Sequence, residues 1–186
     1  MDLFEFIMVL ASIIVGMSLA ELLSGIADSI TRRNNREFSW IHLLLSCGLL
    51  IAIIQTWWEL WDFHDTTEWA FPNLLLMLSP SVILFLIARI LNPGRDFNAS
   101  VENYYYRNAP QIWILIAVGV FIGNIFRTII LDSKIFIVDN LSAVPLILIS
   151  IILIISSNRL LHKILILATI ILVLLDVLLI NFLISN

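Results

Sequence analysis

The sequence predicts an all-α membrane protein, a bundle of six transmembrane helices with both termini extracytoplasmic. Three observations support this fold class: an apolar composition, six long apolar runs, and an uneven distribution of basic residues among the loops. Of the 186 residues, 61% are hydrophobic and only 13% are charged, whereas a soluble domain is about half apolar and about a quarter charged. A small water-soluble domain could not bury so much apolar surface, which excludes a soluble globular fold.

Charged or turn-forming residues separate the six apolar runs. Roughly 20 apolar residues cross the hydrocarbon core as an α-helix, so the runs predict a single integral membrane domain that covers residues 1–186. The expected spans are 4–29, 39–61, 71–91, 110–131, 140–157 and 160–184.

The first three spans follow from the breaks around them. The N-terminus lacks the basic region and the cleavage site of a secretory signal, so we expect the first run to stay as a helix that ends before Arg32. The second run ends before Asp62. The third starts at Pro72, because proline's missing N–H costs nothing at a helix start, and Pro80 within it predicts a kink.

The last three spans differ in how well their limits are marked. By the same argument Pro110 starts the fourth helix, which leaves 92–109 as the longest loop. The fifth span is short and begins close to Asn140 and Pro145, so its outer boundary is the least defined. The sixth is a long apolar run and is, with the fourth, the clearest of the six.

Basic residues predict the orientation, because cytoplasmic loops retain Lys and Arg. Eight of the ten basic residues fall on one side and two on the other, the side that also holds the acidic loop after the second span. The basic side should be cytoplasmic, with both termini outside. The eight are Arg32, Arg33, Arg36, Arg89, Arg95, Arg107, Arg159 and Lys163, and the two are Arg127 and Lys134.

Polar and ionisable residues inside the spans are candidates for function, since a charged side chain there costs about 2.5 to 3.5 kcal/mol on insertion scales. We expect Arg127 to pair with Asp176, Glu59 or both, because a buried charge needs a partner. Two interpretations remain open: a structural clamp between helices, or an ion or proton site. The complete set is Glu21, Asp28, Gln55, Glu59, Asn124, Arg127 and Asp176.

A second cluster is expected toward the cytoplasm if the first three helices form a compact unit. It would join Glu21 and Asp28 to His42 and Arg89. Each of the last two also has a simpler interpretation, because Arg89 can extend to the headgroups and His42 lies near a helix start at the interface.

The 92–109 loop is expected to lie at the membrane interface. Arg95, Tyr105 and Arg107 suit contact with anionic headgroups, and the alternative is a docking surface for a cytoplasmic protein partner.

The sequence contains none of the catalytic motifs for which we searched. HExxH, GxSxG, Walker and CxxC patterns are missing from the sequence, and His42, His64 and His162 lack the spacing of metal ligands. We therefore expect no enzyme, no cofactor, no metal site and no nucleic-acid partner.

Segments of the first two helices resemble a loose group of small uncharacterised bacterial membrane proteins. The resemblance implies the bacterial cytoplasmic membrane and a polytopic helical fold, and it supplies no activity or site residue. The segments are Phe4-Glu5-Phe6, Gly16, Ala20-Glu21-Leu22-Leu23-Ser24-Gly25 and Gln55-Thr56-Trp57-Trp58.

Two functions remain open from the sequence. The first is a homo-oligomeric ion or proton channel or transporter subunit, whose polar helix faces line a pathway. The alternative is a non-catalytic sensor, scaffold or effector, for example of a stress or phage-defence system, that acts through a partner on its basic loops.

Overall fold

The structure is a computed structural model that describes residues 3–31, 39–64, 66, 69–94, 100–130 and 142–184, with the backbone alone for 3, 125–130 and 179–184. Every regular element in these ranges is helical, which confirms the all-α class. The helices are α1 (Leu3–Thr31), α2 (Trp40–Glu59), α3 (Phe71–Leu91), α4 (Val101–Ile130), α5 (Ala143–Ile155) and α6 (Arg159–Ile184), and a 3₁₀ turn (Leu60–Phe63) extends α2.

Four helices in the described ranges are long and apolar enough to cross a membrane: α1, α2 with its 3₁₀ turn, α3 and α6. The helix α5 is apolar but has only 13 residues, fewer than the roughly 20 that a full crossing takes. The helix α4 has 30 residues, and its first three turns are polar. These features are those of a multi-pass membrane protein.

The start of α4 corrects the sequence-based boundary at Pro110. The helix begins at Val101, so most of the expected 92–109 loop is helical and Pro110 lies inside α4. Ser100 starts the helix: its hydroxyl accepts a hydrogen bond from the Asn103 N–H at 3.3 Å, and Glu102 lies in the positive first turn. This N-terminal cap outweighs the preference of proline for a helix start.

Five of the helices form a closed ring. Each of α2, α3, α4, α5 and α6 packs against the next, and α6 returns to α2. The helix α1 lies outside the ring, against α2 and α3. The main core fills the contacts between these helices, and a smaller cluster joins Phe4 and Ile7 of α1 to Phe63 and Met77.

The bundle has two chemically different ends. At the basic end, where α1, α3 and α5 finish, Arg159 of α6 donates to Asn103 of α4 at 2.9 Å. At the opposite, acidic end, the Phe4 and Trp61 rings meet edge to face with centroids 6.2 Å apart. All four basic side chains that the structure describes lie on helix segments at the basic end: Arg89, Arg107, Arg159 and Lys163.

Two glycines one turn apart on α4 should respond differently to the same substitution. A Cβ at Gly119 would lie 3.1 Å from Cγ2 of Ile83, a stiff β-branched side chain, whereas a Cβ at Gly123 would meet no atom within 4 Å. We expect Gly119→Leu to lower the free energy of unfolding by about 1 to 3 kcal/mol through overpacking. Gly123→Leu should change it by less than about 0.5 kcal/mol.

Titration of the detergent-solubilised protein with a denaturing detergent measures both variants under the same conditions. Equal losses at the two positions would contradict the close contact between α3 and α4 at Gly119.

Candidate functional site

A cavity of about 560 Å³ lies inside the ring of α2 to α6. Small residues line it, Gly48 and Ala52 from α2 and Gly119 and Gly123 from α4. Of these three glycines, only Gly123 has open space where a Cβ would lie. Pro80, for which the sequence predicts a kink, also lines the cavity. The helix α1 contributes none of the described lining residues, so the cavity belongs to the five-helix ring.

One amide joins two carboxylates where the cavity approaches the acidic end. The Gln55 side-chain nitrogen Nε2 donates to Oε1 of Glu59 at 3.0 Å and to Oδ2 of Asp176 at 2.9 Å. An amide NH₂ has two hydrogens, so it can serve both acceptors at once. Asp62 also lines the cavity and is exposed. We call these four residues the acidic mouth.

Helix geometry explains how the mouth forms. Gln55 and Glu59 are four residues apart, so they lie one above the other on the same face of α2. Asp176 comes from α6, which closes the ring against α2. The contact between Gln55 and Asp176 thus joins residues that are 121 positions apart in the chain.

The acidic mouth favours positive charge. Gln55, Glu59 and Asp176 are half-buried, and charges interact more strongly in such an environment than in bulk water. Two carboxylates on one amide nitrogen repel each other, so a cation between them lowers the electrostatic energy. The arrangement suits reversible binding of a cation.

Two other residues of the predicted polar cluster lie on α4. Asn124 lines the cavity and donates from Nδ2 to the Val120 carbonyl one turn earlier, at 2.7 Å. The side chain of Arg127 lies outside the described residues, so its pairing with Asp176 or Glu59 stays a prediction.

The predicted cytoplasmic cluster forms two separate contacts. Arg89 Nη1 lies 2.9 Å from Oε1 of Glu21, with the arginine side chain 64% exposed and the glutamate side chain 22% exposed. Asn92 Nδ2 donates to the same glutamate oxygen at 2.9 Å. These residues lie at the basic end and outside the cavity, so the structure does not bring Glu21 into the acidic mouth.

The sequence did not predict that Asn92 contacts Glu21. The Oδ1 of Asn92 accepts from the Gly94 N–H at 3.0 Å, which forms a turn that the Asn-Pro-Gly sequence favours. Gly94 has φ +79°, a backbone conformation that suits glycine. The sequence indicates the turn, but it does not indicate the contact of Asn92 with Glu21 on α1.

His42 has a structural position in the bundle. It is 1% exposed, and its Nε2 donates to the Leu91 carbonyl at the end of α3 at 2.6 Å. Ser29 of α1 lies 3.5 Å from its Nδ1. Asp28, the residue before Ser29 on α1, does not line the cavity. His42 therefore joins α1, α2 and α3 at the basic end, inside the protein and away from the interface.

Tyr105 corrects the prediction of a surface contact. It is 1% exposed, and its hydroxyl accepts from Trp113 Nε1 at 3.0 Å. His162 of α6 donates from Nε2 to the Ser156 carbonyl at 2.9 Å, so its Nδ1 accepts from the Tyr105 hydroxyl, also at 2.9 Å. The sequence did not predict this contact because α4 was expected to begin at Pro110, nine residues after its observed start at Val101.

Burial favours the protonated form of the Tyr105 hydroxyl. Tyr105 precedes the predicted membrane span 110–131, and burial raises the pKa of its hydroxyl above the ordinary value. The neutral hydroxyl keeps its proton for His162, so each polar group in the chain from Trp113 to Ser156 has a partner. The network joins the start of α4 to the start of α6.

Of the other two predicted contact residues, the structure describes only Arg107. Arg107 is exposed, and its guanidinium carbon lies 5.6 Å from the centroid of the Tyr104 ring. A similar contact places Arg159 over Tyr106 at 5.0 Å. These aromatic and basic side chains suit headgroups or a partner. Arg95 lies outside the described residues.

The cavity therefore offers carboxylates, an amide and apolar walls, which together suit noncovalent binding of a cation. In the part of the chain that the structure describes, no group of three or more His, Cys, Asp or Glu side chains is placed to hold a metal ion. Comparison with protein-family models, with curated proteins and with solved structures finds no match.

Proposed function

We propose that this protein is a subunit of a membrane channel or transporter that moves cations or protons through the cavity. The acidic mouth is the observation that carries the proposal, because Gln55 holds Glu59 and Asp176 together within a closed helix ring. Ionisable residues inside membrane bundles are costly, and they commonly mark ion and proton pathways.

The orientation proposed with this function has the basic end in the cytoplasm. The described Arg and Lys side chains support it, since positive charge is retained on the cytoplasmic side. In this arrangement α4 and the 140–157 span that contains α5 complete six crossings, both termini are outside, and the acidic mouth faces the exterior. The resemblance of the first two helices favours the bacterial cytoplasmic membrane. We also propose that the protomers form a homo-oligomer, since one six-helix bundle is small for a transporter.

Flux through purified protein in sealed liposomes tests the proposal. Proton flux is followed with an entrapped pH-sensitive dye under a potassium gradient and valinomycin, and potassium flux with an entrapped indicator. We expect protein-dependent flux that protein-free liposomes and heat-denatured protein do not give. Intact, correctly inserted protein that conducts neither ion would contradict the proposal.

The basic end supports the alternative of a partner-binding scaffold. Arg107 is exposed beside Tyr104, so this pair can contact a cytoplasmic protein. Tyr105 is buried and offers no docking surface. If the alternative holds, Arg107→Gln should reduce recovery of a partner in a mild-detergent pulldown, while Asp176→Asn should not.

A further inference from the structure

The cavity changes in chemistry from the acidic mouth to its interior, and this change bears on what the site binds. Among the described residues that line it, the charged side chains are Glu59, Asp62 and Asp176, all at the mouth. Deeper in the ring the wall is mainly aliphatic, with the buried Thr169 of α6 as a polar exception. The main residues of the wall there are Leu45, Leu49, Ile83, Ile87, Leu115 and Ile116.

An inorganic ion fits only part of this space. A small inorganic ion would have to keep its water beside the mainly aliphatic wall, because that wall offers it few polar ligands. A purely apolar ligand would gain no favourable electrostatic contact with the carboxylates of the mouth. A molecule with a positive centre and a hydrophobic body satisfies both regions.

The size of the cavity agrees with such a molecule. Its volume of about 560 Å³ lies within the range of roughly 300 to 1,000 Å³ that is usual for sites of drug-sized ligands. Gly123 adds to the free space beside the mouth, since no atom lies within 4 Å of a Cβ built there. A single inorganic cation would leave most of this volume unfilled.

Charge and aromatic residues at the mouth favour a cation with diffuse charge. Glu59, Asp62 and Asp176 outnumber Arg127 and Lys134, the two basic residues on this side of the membrane, so the mouth keeps negative charge even if both of them pair there. Trp58 also lines the cavity, and aromatic faces attract quaternary ammonium groups. A quaternary or delocalised cation is also weakly hydrated, so it enters a low-dielectric site at less cost than a compact ammonium ion.

We propose that the cavity is a binding site for lipophilic organic cations, with the positive centre between Glu59 and Asp176 and the hydrophobic body among Leu49, Ile83 and Leu115. This inference rests on the proposed function and names the substrate class of the same site. It requires the two carboxylates for the charge and the open space at Gly123 for the body.

Binding of tetraphenylphosphonium to the purified full-length protein in neutral detergent tests the inference. Tetraphenylborate is the matched control, since the two ions have nearly the same size and shape and opposite charge. Equilibrium dialysis should show saturable binding of the phosphonium at least about tenfold tighter than that of the borate. Equal binding of the two ions would overturn the inference, because it would reflect partition into apolar surface alone.

Three variants identify the site of binding. Asp176→Asn, which keeps an oxygen to accept the hydrogen bond from Gln55, should weaken phosphonium binding by about tenfold or more. Gly123→Leu should weaken it as strongly by filling the cavity without a change in charge. Glu5→Gln removes a carboxylate from an exposed site on α1 at the same end of the bundle, outside the cavity, and should leave binding unchanged. Wild-type affinity in both Asp176→Asn and Gly123→Leu would overturn the inference.

Flux measurements separate this inference from the proposed function. Specific phosphonium binding without proton or potassium flux would support the site and contradict the proposed function. Proton or potassium flux in a protein that does not bind tetraphenylphosphonium, and whose flux that ion does not inhibit, would support transport and overturn the lipophilic-cation site.

Discussion

Asp176→Asn should abolish cation flux through the reconstituted protein and leave the bundle folded. Asparagine keeps an oxygen that can accept the hydrogen bond from Gln55 Nε2, which measures 2.9 Å in the native protein. The contact between α2 and α6 therefore remains, and only the charge is lost. Since the second carboxylate provides half of the paired negative charge on Gln55, we expect residual flux below about one tenth of the wild-type value.

A matched pair of glutamates controls for the general effect of charge removal. Glu59→Gln changes the acidic mouth and should also remove flux, whereas Glu5→Gln neutralises an exposed glutamate of α1 outside the cavity and should conduct as the wild type does. Size-exclusion profiles and insertion levels confirm that equal amounts of folded protein are compared. Wild-type flux in Asp176→Asn would exclude the carboxylate from the pathway and favour a purely structural clamp.

Trp113→Ala should cause the largest loss of stability at the basic end, about 3 to 5 kcal/mol in the free energy of unfolding. Trp113 is 0% exposed, and its indole nitrogen donates to the buried hydroxyl of Tyr105 at 3.0 Å. Alanine would remove the packing of a large ring from the core and would take a donor from the network. The loss can be measured by titration with a denaturing detergent, with near-ultraviolet circular dichroism as the signal.

Two conservative variants separate packing from hydrogen bonding at this position. Trp113→Phe retains much of the ring and should lose less than the alanine variant. Tyr105→Phe retains its ring and removes the hydroxyl between Trp113 and His162, with an expected loss of about 1 to 3 kcal/mol. If Trp113→Ala unfolded at the wild-type detergent concentration, the proposed role of this buried network in holding α4 to α6 would be wrong.

Local sequence signals predict much of the fold. Apolar length and flanking charges place α1, α2, α3 and α6 within a few residues of their observed limits. The predicted start of α4 was wrong because two local signals compete. One is a proline that suits a first helical turn, and the other is a serine cap ten residues earlier. The expected outer start of the fifth span, residues 140 and 141, lies outside the described residues.

For the candidate site, local signals predict which residues share a helix face, but they do not predict which helices pack together. Gln55 and Glu59 are four residues apart, so a shared helix face is readable from the sequence, and Asp176 was expected at a comparable depth. The contact of Tyr105 with His162 spans 57 positions and depends on which helices are neighbours. Periodicity within one helix carries no information about that choice, so His162 was not recognised as a partner.

The closed ring also sets the order in which the site can be completed during synthesis. The α2 segment with Gln55 and Glu59 is made long before α6, and Asp176 joins them only across 121 positions of chain. Until α6 leaves the ribosome and inserts, the polar face of α2 lacks this partner. A chain that stops after α5 would thus expose the polar face of α2 without the contact that Asp176 provides.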